Sequence, residues 1–331
     1  MSTKQTGTID IEAEFGIVPI ALPTPFPVGP VIVYLIKSDP PVLLDTGLNG
    51  DETYQLLTAA LREHGYSLND LGAIIVTHGH RDHIGLLGRL LREHPVDAYG
   101  HPLVRALGRN VDKDPEDRKG FFIGILEEFG VPAEVKLEAN SLYERFRAFS
   151  EPFELNHVVE DGRTALGHEV VYVPGHSASD TLFINRDEGY FFGGDHILLA
   201  TNPNPLLRRP EPGQPRAKAL VEYQASLRRA RTKVFGVCLP GHGPPIEDGV
   251  AAIDEILRRQ SIRSDQVRGL LAKGLRTPYE VSRSLFPRLP APHLHLGLSI
   301  AVGHLELLEA VGELTSEHVD GVLRFEPRAS V

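Results

Sequence analysis

One short segment constrains this chain more than any other. The apolar run Ala73-Ile-Ile-Val76 passes directly into Thr77-His-Gly-His-Arg-Asp-His-Ile-Gly85. A run of that kind reads as a buried strand, so His78, His80, Asp82 and His83 must gather at a strand's C-terminal end. In extended backbone, residues two apart point the same way, so His78 and His80 can clamp one ion. Asp82 and His83 start the following turn and can face a second position. Neutral imidazole and carboxylate are the ligands expected of zinc-like ions.

A polar surface loop is the competing reading, and three later segments argue against it. His176 stands in Val173-Pro-Gly-His-Ser177, Asp195 in Phe192-Gly-Gly-Asp195 and His242 in Leu239-Pro-Gly-His-Gly243. Each comes after a predicted strand beside a glycine, which lets the backbone turn tightly. Strand ends along one edge of an α/β sheet are where sites gather. The chain has 15 His, one Cys, one Met and no Trp. Cys238 alone can form neither an intrachain disulfide nor a multi-cysteine zinc site.

The remaining pattern is strand–helix–strand–helix at first. Val31–Ile36 and Val42–Asp45 are short strands, 51–63 a helix, 84–93 a helix and 96–99 a strand. Residues 102–150 read as a helical insertion. Strands return at 153–157, 169–173, 181–185, 190–193 and 234–239, with an amphipathic helix over 217–231. From residue 248 the chain turns helical. Thr277-Pro-Tyr-Glu280 is a capping box with proline at the first helical position, 292–311 is a long helix, and 314–325 a hairpin around Asp320-Gly321. Helices followed by a hairpin predict a catalytic domain over 1–247 and a small winged-helix-like domain over 248–331.

The ordered set His-x-His-x-Asp-His, then His176, Asp195 and His242, together with Asp45-Thr-Gly47 after the second strand, resembles the metallo-β-lactamase superfamily over about residues 15–247. The resemblance implies an αββα sandwich with a two-metal site at one edge. It implies that His78, His80 and His176 hold one ion, that Asp82, His83 and His242 hold another, and that Asp195 bridges them. Two zinc ions are expected, with iron or manganese as substitutes. A hydroxide shared by two cations is nucleophilic near neutral pH, Asp82 is the candidate proton shuttle, and Asp45 either orients a ligand histidine or forms the turn before Gly47. Cys238 precedes the Pro-Gly-His element within a strand and reads as core, which argues against antibiotic hydrolysis. His196 would point away from Asp195 along the chain, and His293, His295 and His304 read as packing or surface.

Composition narrows the substrate. Lys and Arg total 34 against 44 Asp and Glu, a net charge of −10, which opposes a long polyanion. The helix over 292–311 has no Lys or Arg, so it lacks the cations a recognition helix needs. Its spacing at Leu294, Leu298, Ala301, Leu305 and Leu308 suits packing on the catalytic domain or a second subunit, so a homodimer is an open expectation. Phe121, Phe122, Phe129 and Tyr143 of the insertion are candidates for an apolar acyl pocket, and the loop 198–205 should border the site. Residues 15–36 carry no charge, but five prolines break them and exclude a spanning helix. No secretory signal is visible, so a cytoplasmic protein is expected. The sequence thus predicts a binuclear metal hydrolase of a small ester, thioester or lactone. The alternatives are a single-strand endoribonuclease or phosphodiesterase, and an iron-dependent oxidoreductase on the same fold.

Overall fold

Alternation along the strands, apolar on both faces, dictates a sheet covered on each side, and the computed structural model shows two such sheets. It describes residues 9–110, 115–140, 150–210 and 213–328. After a short helix α1 (Ile11–Phe15), the first sheet holds β1 (Ile17–Leu22), β2 (Val31–Ile36), β3 (Val42–Leu44), β4 (Ala73–Ile75), β5 (Asp97–Gly100) and β6 (His157–Val158), in that order. Its first pairs are antiparallel and those from β3 onward parallel. The second sheet runs β11 (Val237–Pro240), β10 (Tyr190–Gly194), β9 (Thr181–Asn185), β8 (His168–Tyr172) and β7 (Thr164–Ala165), parallel only between β10 and β11.

Period two decides which residues meet. Tyr34, Val42, Leu44, Ala73 and Ile75 of the first sheet share one core with Val170, Phe183, Tyr190, Phe192 and Leu239 of the second. The opposite faces carry Val31, Val33, Leu43 and Ile74 against the helices α2 (Asp51–Glu63), α3 (Arg81–Ile84) and α4 (Leu87–Glu93). Val171, Leu182, Phe191 and Cys238 turn outward against α8 (Ala219–Arg231) and the first half of α9 (Gly249–Ala272). Cys238 is therefore core, on the face away from the sheet–sheet interior. The architecture is the expected αββα sandwich.

The predicted helix over 84–93 is split into α3 and α4, because the His83 carbonyl accepts the Thr46 N–H (2.8 Å) and the Leu86 N–H reaches the Gly47 carbonyl (3.1 Å). Of the predicted strand over 153–157 only His157 is a strand residue, paired in β6 with Val158 following it. There the Asn156 side chain takes the Ala98 N–H at 2.6 Å, where a strand carbonyl would sit.

The insertion contributes α5 (Pro102–Arg109), α6 (Pro115–Glu128) and α7 (Ala133–Asn140). Ile125, Leu126, Phe129 and Val131 join Val267 and Leu271 of α9, Val281 of α10 (Pro278–Leu285), Leu294, Leu298, Ala301, Leu305 and Leu308 of α11 (Leu294–Ala310), and Leu314, Leu323 and Phe325 of the hairpin β12 (Leu314–Val319) and β13 (Val322–Pro327). The apolar stripe of α11 is thus filled within the chain and does not await a second subunit. The capping box is present, with Thr277 Oγ1 accepting the Glu280 N–H. Among the described residues no helix is long and apolar enough to cross a membrane.

Candidate metal centre

The site forms where strands of both sheets end together. Leu44 pairs with Ile75 and Gly194 pairs with Pro240 in parallel register, so the loops after β3 and β4 leave side by side, as do those after β10 and β11. The sheets are tied at this edge by Tyr34 Oη donating to the Pro240 carbonyl (2.7 Å) and the Ile32 N–H to the Gly241 carbonyl (2.7 Å).

His78, His80 and His176 converge here, with His80 Nδ1 lying 3.0 Å from His78 Nε2 and 2.8 Å from His176 Nε2. On the other side, His242 Nε2 lies 3.3 Å from Asp82 Oδ2, and His83 Nε2 lies 4.0 Å from Asp82 Oδ1. Asp195 stands between the groups. Its Oδ2 is 3.5 Å from His176 Nε2 and 3.4 Å from His242 Nε2, and its Oδ1 is 3.4 Å from His83 Nε2. All seven residues implied by the resemblance therefore meet in one place. The ligand atoms of His78, His80 and His176 lie within 4.8 Å of one another, as do those of Asp82, His83 and His242.

The outer nitrogens are already engaged. His176 Nδ1 donates to the Asn204 carbonyl (2.9 Å) and His242 Nδ1 to the Pro30 carbonyl (2.8 Å). A carbonyl can only accept, so in the neutral form of each ring the proton sits on Nδ1 and the lone pair of Nε2 faces the centre. His83 Nδ1 meets Asp45 Oδ2 at 2.8 Å, and Asp45 also accepts from the Thr77 N–H (2.8 Å) and Thr77 Oγ1 (2.7 Å). Asp45 thus orients a histidine and also turns the chain, with φ of 62°.

These residues fit a metal pair on three observations. His83 Nε2, His242 Nε2 and Asp195 Oδ1 are buried with no hydrogen-bond partner, a costly state that a cation would relieve. Burial holds His78 well below its usual pKa and His80 at about 4, so both offer lone pairs. Gly241 completes the cradle: a Cβ there would stand 2.4 Å from Asp195 Oδ1 and 2.7 Å from His83 Cε1. At the second group burial opposes charge, yet the surrounding carboxylates raise His83 and bring His242 to about 9. A metal entering there must displace protons.

The centre opens into a cavity of about 690 Å³. Its walls are Pro25, Phe26, Pro27 and Val28 from the β1–β2 loop, Leu107 of α5, the segment Leu198 to Leu206, and His293, His295, Leu296 and Ile300 at the start of α11. The 198–205 loop borders the site as expected. The insertion phenylalanines do not line this cavity. Phe129 is fully buried in the C-terminal core, and Phe121 and Phe122 pack against the same cluster, because that face of α6 is taken up by α9 to α11. Phe122 has its ring 6.4 Å from that of His295, which does line the cavity. Tyr143 lies outside the described residues. His293 and His295, read from sequence as packing or surface, are the residues that sequence reasoning missed. His196 is buried beside Tyr223 (ring centroids 4.8 Å apart) and His304 meets Ser264 Oγ at 2.9 Å.

Comparison with known proteins agrees with this geometry. The family model of the metallo-β-lactamase superfamily matches residues 26–242. The probable metallo-hydrolase YqjP of Bacillus subtilis is 35% identical over 91% of this chain and 94% of its own length. The atrochrysone carboxyl ACP thioesterase of Aspergillus fumigatus is 24% identical over 76% of this chain and 66% of its own. The crystal structure of the metallo-β-lactamase family protein TTHA1429 from Thermus thermophilus superposes with a TM-score of 0.79 at 25% identity, covering 95% of this chain and 99% of that one.

Proposed function

The chain belongs to the metallo-β-lactamase superfamily and is a metal-dependent hydrolase; from that premise we propose that its substrate is a small ester, thioester or lactone with an apolar acyl part. His78, His80 and His176 would hold one ion and Asp82, His83 and His242 the other, with Asp195 shared. Zinc suits this nitrogen and oxygen donor set. When bound, the ions supply a hydrolytic nucleophile from water near neutral pH and polarise the scissile carbonyl.

The chain's own residues do the rest. Asp82 lines the cavity, so its carboxylate is the side chain of the Asp82, His83 and His242 group that faces the substrate and would take and pass a proton. Asp45, the Asn204 carbonyl and the Pro30 carbonyl keep three imidazoles in one orientation.

The observation that carries the reading is the wall of the cavity. Among the described residues that line it, Arg81 is the sole Lys or Arg, against Phe26, Val28, Leu107, Leu198, Leu206, Leu296 and Ile300. A long polyanion needs a basic track, whereas an acyl chain gains from removing apolar surface from water. The size falls within the usual ~300–1,000 Å³ of small-molecule pockets. The resemblance to a thioesterase supports the same substrate class.

The test compares kcat/KM of the zinc-loaded protein for acyl thioesters, aryl esters and lactones with that for single-stranded RNA and a simple phosphodiester. The carbonyl substrates should be turned over, with longer acyl chains favoured over acetyl. Efficient RNA or phosphodiester cleavage without turnover of any carbonyl substrate overturns the proposal.

A further inference from the structure

The C-terminal helix α11 does more than close one side of the cavity. Asn204 Nδ2 donates to the Leu296 carbonyl in its first turn (3.1 Å), while the Asn204 main-chain carbonyl accepts from His176 Nδ1 (2.9 Å). One residue therefore touches both the helix and the outer nitrogen of a histidine of the metal centre. The amide can sit only one way round, since a carbonyl needs a donor opposite it. That orientation leaves Asn204 Oδ1 buried with no partner, a cost that a residue chosen only for packing would avoid. A second strap joins the same loop to the same helix: the Leu207 N–H donates to Ser299 Oγ (3.1 Å), which itself donates to the His295 carbonyl (2.8 Å). That strap acts on Leu207 and makes no contact with His176 Nδ1.

Resting on the reading that His176 is a metal ligand, we propose that Asn204 is a positioning residue through which α11 sets the metal affinity of the group formed by His78, His80 and His176. The physical chain is short. The Leu296 carbonyl fixes the Asn204 side chain, the fixed residue holds its own carbonyl in place, and that carbonyl fixes the tautomer and ring angle of His176. Outer partners of metal-binding histidines raise ligand basicity and limit ring rotation. Without the side-chain anchor residue 204 is free to turn within a loop still held at Leu199, Leu206 and Leu207, and its carbonyl no longer keeps a fixed place opposite the His176 N–H. The C-terminal segment thereby becomes part of the hydrolytic site and not merely an appended unit.

The experiment titrates metal-free wild type, Asn204→Asp, Asn204→Ser and Ser299→Ala with zinc against a chromophoric chelator, after thermal melts have shown each to be folded. Wild type should bind two equivalents. Both Asn204 variants should bind one of the two roughly 10–100-fold more weakly and keep the other unchanged, and Ser299→Ala should match wild type. Should Asn204→Asp not fold, Asn204→Ser removes the amide without adding charge and carries the same test. Wild-type affinity for both equivalents in a folded Asn204 variant overturns the proposal and leaves the metal reading intact. Equal weakening in Ser299→Ala also overturns it, since any loop anchor would then suffice. A wild type that binds fewer than two equivalents overturns the metal reading and this proposal with it.

Discussion

Gly241→Ala tests whether the centre was built around a space that only glycine leaves. The added methyl would lie 2.4 Å from Asp195 Oδ1 and 2.7 Å from His83 Cε1, where side-chain contacts do not fall below 3.0 Å. Reaching 3.0 Å means displacing the carboxylate oxygen by about 0.6 Å and the imidazole carbon by about 0.3 Å. Metal positions tolerate ligand errors of only about 0.2 Å, so both moves are too large. Neither group has an easy retreat: Asp45 holds His83 Nδ1 at 2.8 Å, and Asp195 Oδ2 already faces His176 and His242 at 3.5 and 3.4 Å. The expected result is loss of the ion at Asp82, His83 and His242, with at most one equivalent left by plasma emission analysis after metal-replete purification. Overpacking should also lower the stability of the metal-free protein by about 1–3 kcal/mol, read by urea denaturation. Two tightly held equivalents in Gly241→Ala would refute the argument that Asp195 and His83 act as ligands from the positions described.

Asp195→Ala should cost both ions or their coupling, since its two oxygens approach histidines of both groups; metal content and turnover close to wild type would contradict a bridging role. A pH effect is expected at His304, whose pKa is held at about 3 by burial and secondarily by Arg263. The unfolded chain protonates this residue near ~6.5, so its neutral buried form stabilises the fold fully above that pH and loses ground as pH falls from about 6.5 towards 3, by up to ~1.4 kcal/mol per pH unit. Urea melts of the metal-free protein should show a shallower acid loss in His304→Asn than in wild type, and identical slopes would sink the idea.

The candidate ligands were legible because their signal is local. A buried strand must end, and at four such ends the chain places His or Asp beside glycine. The same alternation that hid Ile74 on one face and Ile75 on the other fixed the sandwich. What could not be read was the partner of each helical stripe. Phe121, Phe122 and Phe129 have helical spacing whether they face a substrate or another helix, and the hydrophobic effect that buries them is indifferent to the choice. Their neighbours come from residues 267 to 325, a separation no local pattern reports. The strand over 153–157 failed for a different reason, since Asn156 competed for a ladder position with its own side chain.

Helix α11 shows that the missing signal was faint but present. Leu294, Leu298, Ala301, Leu305 and Leu308 recur at three- and four-residue intervals and account for one buried face. His293, Leu296 and Ile300 recur at the same intervals one step round the helix, and these are the residues that reach the cavity. A helix that only packs on a core needs one apolar stripe, with charge opposite. The stretch from 292 to 305 carries no Asp, Glu, Lys or Arg on any face, so its second stripe also had to face something other than bulk water. With α9, α10 and the hairpin filling one side, the space left for the other is the opening above His176 and Asp195. The residues that distinguish one substrate from another are therefore expected on α11 and the loop strapped to it, while the strand ends supply chemistry common to the superfamily.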